Sequence, residues 1–432
     1  MTRARTEGAP SRPPWLLFAT LCVLVTLGPL TVDLYLPAFP RLQEELYTSP
    51  AAVQLTLTGT TLGLALGQLV IGPWSDAVGR RLPALVATAV HLSASVGVAV
   101  SPDIGWVTFF RVLQGIGSAG GAVVAMAVVR DAYSGARFVH ALARLSLIGG
   151  LAPVIAPTVG SQLLRLVDWR GLFLCVACFA VLTLLLTTIG LHPPARQPSP
   201  EGSGVRAVGR RYRTVVADKA FVGLALVGGL VVSGVFAYMT SSSFLLQQVY
   251  GLGSSGYSLV FAANALGFVA GTQVTARVAL RRMTPVALLL LAAAGLALAG
   301  ALIVLVGVAG GGVLWLVACT VLFHLAAGAV GPCVSVLALA RHGARAGTAA
   351  AVLGAVNFGL AGLLSPVVGL VGVGSALPVG TAMALVGMLA LLLLLLVVRP
   401  AVRARLHAEG QETSAPPQPR RPEAGKHSSW GG

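Results

Sequence analysis

Residues Gly72–Arg81 read GPWSDAVGRR and interrupt two long apolar runs. One acid, Asp76, and two adjacent arginines, Arg80 and Arg81, fall in a short stretch bounded by Gly72 and Gly79. The flanking runs each reach the roughly 20 apolar residues that a membrane-spanning helix needs. The stretch therefore reads as a tight, charged turn between two spans. Two roles stay open for it at this point. Its positive charge can simply orient the two helices, or the turn can be a joint between moving parts.

Composition supports the membrane reading. Of 432 residues, 56% are hydrophobic and 10% charged, with mean hydropathy +0.87, whereas soluble domains carry about 25% charged residues. A formal charge of +16 would suit nucleic acid. The basic residues, however, lie in short segments between apolar runs, with no basic stripe carrying interleaved aromatics. The charge is topological, and no nucleic-acid partner is expected. The five cysteines all lie in apolar runs. Cys175 and Cys178 form a C-x-x-C with no second pair, so no metal site is expected, and they read as small packing residues. Neither a phosphate-binding lysine loop nor a nucleophile elbow occurs, which argues against ATP-driven transport and against an enzyme. The first apolar run lacks a small-residue cleavage site and reads as a retained span.

Twelve spans are expected, near 15–36, 51–72, 82–100, 103–129, 141–164 and 169–191, then 221–247, 256–279, 284–307, 312–340, 347–371 and 376–398. The fold class is all-α: an N-terminal tail (1–14), a six-helix half (15–191), a basic, solvated linker (192–220), a second six-helix half (221–398) and a disordered tail (399–432). With the N-terminus in the cytoplasm, 25 of the 29 Lys and Arg fall on the cytoplasmic side. The positive-inside rule then places both termini there, in a cell (inner or plasma) membrane protein. Six helices, a linker and six helices is the arrangement of two repeated halves. The loop Arg277–Arg282 occupies the place of Gly72–Arg81 in the second half, with the basic residues but no acid.

Only one carboxylate and one arginine are clearly embedded in the spans, Asp33 and Arg111. An ionised group in hydrocarbon is costly, so each must face protein or water, and function is the default reading. The alternative is a structural ion pair between the first and fourth spans. Pro29, Asp33 and Pro37 fall four apart on one face, which predicts an irregular helix beside the acid. Arg111, Gln114, Gly115 and Ser118 form a polar, small-residue stripe. In the second half Tyr238, Ser241, Ser242, Asn264 and Asn357 are candidates to bond a ligand or, equally, a neighbouring helix. His324 is either a proton relay or a satisfied packing histidine.

These motifs carry a resemblance. GPWSDAVGRR is similar to the signature loop between helices 2 and 3 of the major facilitator superfamily, where the loop helps to lock the two halves on the cytoplasmic side. Asp33, Tyr35, Leu36, Pro37, Ala38 and Pro40 match a D-x-Y-L-P-A-x-P signature, and Arg111, Gln114, Gly115 and Gly117 match R-x-x-Q-G-x-G. Both resemble the bicyclomycin/chloramphenicol-resistance (Bcr/CflA) branch of the drug:proton antiporters. GGLAPVIAPTVGS in the fifth span resembles the antiporter motif, with Ala156 and Ser161 in place of two glycines.

The resemblance implies proton-coupled efflux of a small, mostly apolar drug by alternating access. No cofactor is implied, since the proton gradient is the energy source. The implied partners are the drug, protons and the lipid bilayer, and the expected state is a monomer. Asp33 and Arg111 would handle the coupling proton. Tyr35, Gln114, Ser118, Tyr238, Ser242, Asn264, His324 and Asn357 would line the cavity. Gly72, Asp76, Gly79, Arg80, Arg81 and Asp131 would form the cytoplasmic gate, with Asp76 capping the eleventh span near Gly347 and Arg80 or Arg81 pairing with Asp131. Gly150, Pro153, Pro157 and Gly160 would shape the antiporter-motif helix. The alternatives are export of an endogenous metabolite (a sugar, amino acid or siderophore), or a membrane receptor or passive channel.

Overall fold

The computed structural model describes residues 14–133, 135–191, 205–339, 346–372 and 374–401. The N-terminal tail through residue 13, the first part of the linker (192–204) and the tail from 402 lie outside the described residues, and so do the expectations of solvation and disorder there. Among the described residues every regular element is helical. The helices are α1 (Pro14–Asp33), α2 (Phe39–Glu45), α3 (Pro50–Val78), α4 (Arg81–Ala99), α5 (Ile104–Ala132), α6 (Gly135–Leu163) and α7 (Trp169–Gly190). They continue as α8 (Val205–Val216), α9 (Lys219–Phe244), α10 (Ser254–Arg277), α11 (Pro285–Val308), α12 (Val313–Leu339), α13 (Ala346–Val371) and α14 (Leu377–Leu393). Among the described residues, twelve stretches are long and apolar enough to cross a bilayer, and α1 with α2 makes up the first of them.

The sequence starts several of these helices with side-chain caps. Asp103, Asp168 and Asp218 accept hydrogen bonds from the first free N–H groups of α5, α7 and α9. Ser49 and Thr284 do the same before Pro50 and Pro285, whose missing N–H costs nothing at that position.

Small residues let the spans approach closely. Gly59, Gly63 and Gly67 recur once per turn on α3, and a Cβ at any of them would press on Thr108, Val112 or Ile116 of α5. Removing bulk is how helices pack where lipid offers no hydrophobic driving force. Packing between the two sets of six helices runs along α3 with α13 and along α6 with α10.

Three expectations need correction. Gly72–Val78 is not a turn: α3 continues through it, and only Gly79 and Arg80 lie outside helix. Gly79 ends α3 with φ +91°, a conformation that suits glycine. The linker is not wholly solvated coil, because α8 forms within it; Val215 is buried and the Tyr212 hydroxyl donates to the Leu69 carbonyl (3.0 Å). Its Arg-rich face hid a helix whose apolar side was only a few residues wide. Finally, Cys178 is exposed on α7 and is not a packing residue.

Candidate functional site

α1 ends at Asp33, not at residue 36 as expected. Pro29 interrupts its last turns, and the chain then turns through Leu34 and Tyr35 into a short 3-10 segment, Leu36–Ala38. Every residue from Thr31 to Phe39 is buried, and so is every residue of α9 and its continuation from Phe236 to Leu246. Toward the start of α1 the face below Asp33, with Cys22, Thr26, Pro29 and Leu30, is partly exposed. Asp33 thus lies at the buried end of a helix face whose exposure rises toward the α1 start.

Hydrogen bonds seal that buried end. The Ser243 hydroxyl donates to the Leu36 carbonyl (2.7 Å), and the Gln247 amide to the Pro37 carbonyl (3.2 Å). Ser258 donates to the Pro157 carbonyl (3.0 Å), joining α10 to α6. The proline that cannot donate in α6 therefore still supplies an acceptor.

Asp33 and Arg111 are both buried, yet they form no ion pair. The Arg111 guanidinium lies 4.1 Å from the centre of the Tyr35 ring and donates through Nη1 to the Thr31 carbonyl (2.8 Å) and to Gln114 Oε1 (2.6 Å). Asp33 Oδ1 has no hydrogen-bond partner. A buried, unpartnered carboxylate oxygen is costly to leave unmade and points to a group that arrives from elsewhere. The Tyr35 hydroxyl meets Thr56 Oγ1 (3.0 Å), and Ser118 donates to the Gln114 carbonyl (2.9 Å).

A second cluster is built by α9, α10 and α12. The Asn264 amide donates to the Tyr238 hydroxyl (2.7 Å), and the His324 ring lies 5.1 Å from the Tyr238 ring. His324 Nδ1 lies 2.8 Å from the Thr320 carbonyl oxygen, which makes it the protonated nitrogen. Asn264 Oδ1 and Ser241 Oγ are buried without partners. The Tyr257 hydroxyl lies beside Ser242 but makes no hydrogen bond of sound geometry, while Ser242 donates to the Met239 carbonyl (3.0 Å). Tyr257 is within electrostatic range of both Asp33 and Tyr238, and so links the clusters. Asn357 stands apart, packed between α13 and Gly228 of α9.

The charged corner between α3 and α4 is built around Arg80. Its Nη1 donates to Asp76 and to Ser75 Oγ (2.9 Å), and its Nε to Asp131 Oδ2 (2.8 Å) at the end of α5. Burial works against the Arg80 charge, but the two carboxylates more than offset it and hold its proton above the ordinary arginine range. Arg81 turns away and donates to the Thr188 carbonyl of α7 (2.9 Å). Asp76 is engaged by Arg80 of its own half; the expected contact with the start of α13 belongs to the state closed on the cytoplasmic side. The residue nearest Gly347 is Arg130, whose Nη1 lies 3.3 Å from where a Cβ would stand. Gly72 is inside α3, with room for a side chain toward Val123.

In α6, Gly160 abuts α1: a Cβ there would overlap the Leu34 carbonyl oxygen. Gly150 faces Val269 of α10 with space to spare (3.8 Å). Pro153 and Pro157 lie between them inside the helix.

Twelve spans, a paired arginine–carboxylate corner and an acid buried within the spans agree with one further finding. A model of the Major Facilitator Superfamily matches residues 21–366. The chain belongs to the Major Facilitator Superfamily. It is 33% identical over 379 residues, 86% of this chain and 93% of the relative, to "Uncharacterized MFS-type transporter YdgK" of Bacillus subtilis. It is 26% identical over 255 residues to "Bicyclomycin resistance protein homolog" of Haemophilus influenzae, spanning 59% of this chain and 64% of that protein. It is 28% identical over 244 residues to "Multidrug resistance protein MdtL" of Salmonella heidelberg, spanning 56% of this chain and 61% of that protein. This major facilitator chain is thus a multi-pass membrane transporter.

Sequence reasoning missed one residue of the site. His91 of α4 is buried, with Nε2 2.7 Å from Thr31 Oγ1. Its position in the middle of the third span was the available signal, as for His324.

Proposed function

We propose that the protein is a proton-coupled exporter of small, mostly apolar drugs. Both termini and the Arg80 corner face the cytoplasm, and the conformation described above is closed on the outer side. The observation that carries the reading is Asp33, the embedded carboxylate, buried in the spans with Oδ1 unpartnered. A carboxylate in that place can exchange one proton per cycle as its surroundings change from one side to the other. The names of two relatives, a bicyclomycin resistance homologue and a multidrug resistance protein, support a drug as the cargo. Neutral antibiotics of the bicyclomycin or phenicol type fit a single embedded carboxylate better than a dication does.

A second reading has its own observation. Asn264 Oδ1 and Ser241 Oγ are buried and unpartnered, and such groups favour a cargo that forms hydrogen bonds. Export of a polar metabolite is therefore the competing account. The discriminating experiment is the resistance profile of cells expressing the protein against a chemically mixed antibiotic panel. Raised tolerance to neutral antibiotics that collapses with the proton gradient supports the first reading. An unchanged profile rejects it.

A further inference from the structure

We propose that His91 is a positioning residue for Arg111, holding the guanidinium on the Tyr35 ring and off Asp33. The proposal rests on reading Asp33 as the coupling acid. Its basis is a closed ring of buried groups from three helices. His91 Nε2 reaches Thr31 Oγ1 (2.7 Å), and the Thr31 carbonyl accepts from Arg111 Nη1 (2.8 Å). Arg111 Nη1 also donates to Gln114 Oε1 (2.6 Å), and Gln114 Nε2 donates to Ser95 Oγ (2.7 Å). Ser95 Oγ in turn donates to the His91 carbonyl (2.8 Å), one helical turn back on α4, which returns the chain of bonds to His91. His91, Ser95, Arg111, Gln114 and Thr31 are all at most 2% exposed.

The proton positions follow from the partners. The Thr31 hydroxyl donates to the Leu27 carbonyl (2.6 Å), so its oxygen accepts from His91, and Nε2 carries the proton. His91 comes close enough because residue 117 is glycine. A Cβ there would stand 2.6 Å from the Ala87 carbonyl oxygen and 2.7 Å from His91 Cβ. The ring therefore depends on α4 lying tight against α5.

The ring fixes Arg111 through Nη1 and leaves it stacked on Tyr35, with Nε and Nη2 buried without hydrogen-bond partners. Nη1 has both of its acceptors within the ring, while Asp33 stays within electrostatic range but unpaired. The ionisable groups facing the pair are Tyr35 after α1, His91 of α4 and Tyr257 of α10; α7 contributes only the uncharged Phe173 ring. If the ring opens, the nearest anion for Arg111 is Asp33. A direct pair would then hold Asp33 as carboxylate and block its protonation.

The test is an infrared titration of the purified full chain in lipid, reading the protonated-carboxyl band as wild type minus Asp33→Asn. In His91→Ala the carboxylate form should persist about tenfold or more further into acid. His91→Gln, whose amide nitrogen reaches the Nε2 position, should restore the wild-type titration. His91→Asn, which reaches only the Nδ1 side, should not. If His91→Ala does not fold, Gln114→Met opens the ring from the other side and should give the same shift. A wild-type titration in the ring-opened variant, or a His91→Gln variant that behaves like His91→Ala, overturns the proposal. A difference band absent at every pH overturns it together with the coupling role of Asp33. Transport that survives Asp33→Asn would reject only the functional reading, since the titration shift would stand.

Discussion

The Ser243 hydroxyl donates to the Leu36 carbonyl at 2.7 Å, and this one bond joins the irregular end of α1 to α9 at the closed end of the transporter. A buried hydrogen bond of this kind contributes about 1 kcal/mol. Ser243→Ala should therefore move the balance between outer-closed and outer-open states about fivefold toward opening. Spin labels at Tyr47 and Leu314, both exposed, would report the change in a background without the five cysteines. More of the long-distance population is expected; an unchanged distribution would show that the bond does not bear on the gate.

Gly160 and Gly150 give a contrast within one helix. A methyl at Gly160 must push α6 away from the Leu34 carbonyl, one residue beyond Asp33, whereas a methyl at Gly150 meets only Val269 at contact distance. Gly160→Ala should lower the transport rate by about tenfold or more with normal membrane insertion, and Gly150→Ala by less than about twofold, as expected for overpacking against backbone versus ordinary contact. Initial efflux rates normalised to membrane protein measure both.

Much of this was legible in the sequence. The twelve apolar runs fixed the fold class, because a bilayer leaves the backbone no alternative to helix. Asp33 and Arg111 stood out because charge is rare in hydrocarbon. Local chemistry at the ends was less legible. Gly72 and Pro73 looked like the start of a turn, but α3 runs on through Val78, and the Leu69 carbonyl that Pro73 cannot donate to accepts from the Tyr212 hydroxyl instead. The corner's pairing was half readable: Asp131 was expected to take Arg80 or Arg81, and geometry chose Arg80. His91 escaped notice because a neutral side chain among apolar neighbours leaves no charge anomaly, and Thr31, which its Nε2 meets, lies 60 residues away.

Arg80 binds two carboxylates and a hydroxyl at once, which a planar fork with several donors can do and a lysine cannot. Arg80→Ala should leave Asp76 without its arginine and Asp131 with only the longer Arg130 contact (3.8 Å), and lower the midpoint of thermal unfolding by several degrees; a loss of about 1–2 kcal/mol would be in the range of hydrogen bonds to charged groups. Arg80→Lys should recover less than half of that loss. Detergent-solubilised melting curves decide the matter, and equal midpoints for all three proteins would remove the corner from the stability of the fold.

Asp76 is held by Arg80 while the outer side is closed. In the opposite state, with the cytoplasmic side closed, the carboxylate is placed to meet the positive end of α13, where the helix dipole favours an anion. Asp76→Asn should then slow transport about fivefold or more, by disfavouring that state by roughly 1 kcal/mol, while chloramphenicol binding to the purified protein changes little. Transport at the wild-type rate together with an unchanged pattern of cysteine accessibility would contradict this role.

The central claim is that the proton coupled to export passes through Asp33. The direct measurement is purified Asp33→Asn in proteoliposomes, with folding confirmed first, under an imposed pH gradient and with labelled chloramphenicol as the probe. The account predicts exchange of chloramphenicol across the membrane without accumulation against its gradient, because a side chain that cannot ionise has no proton to release. Concentrative uptake at the wild-type level would contradict it.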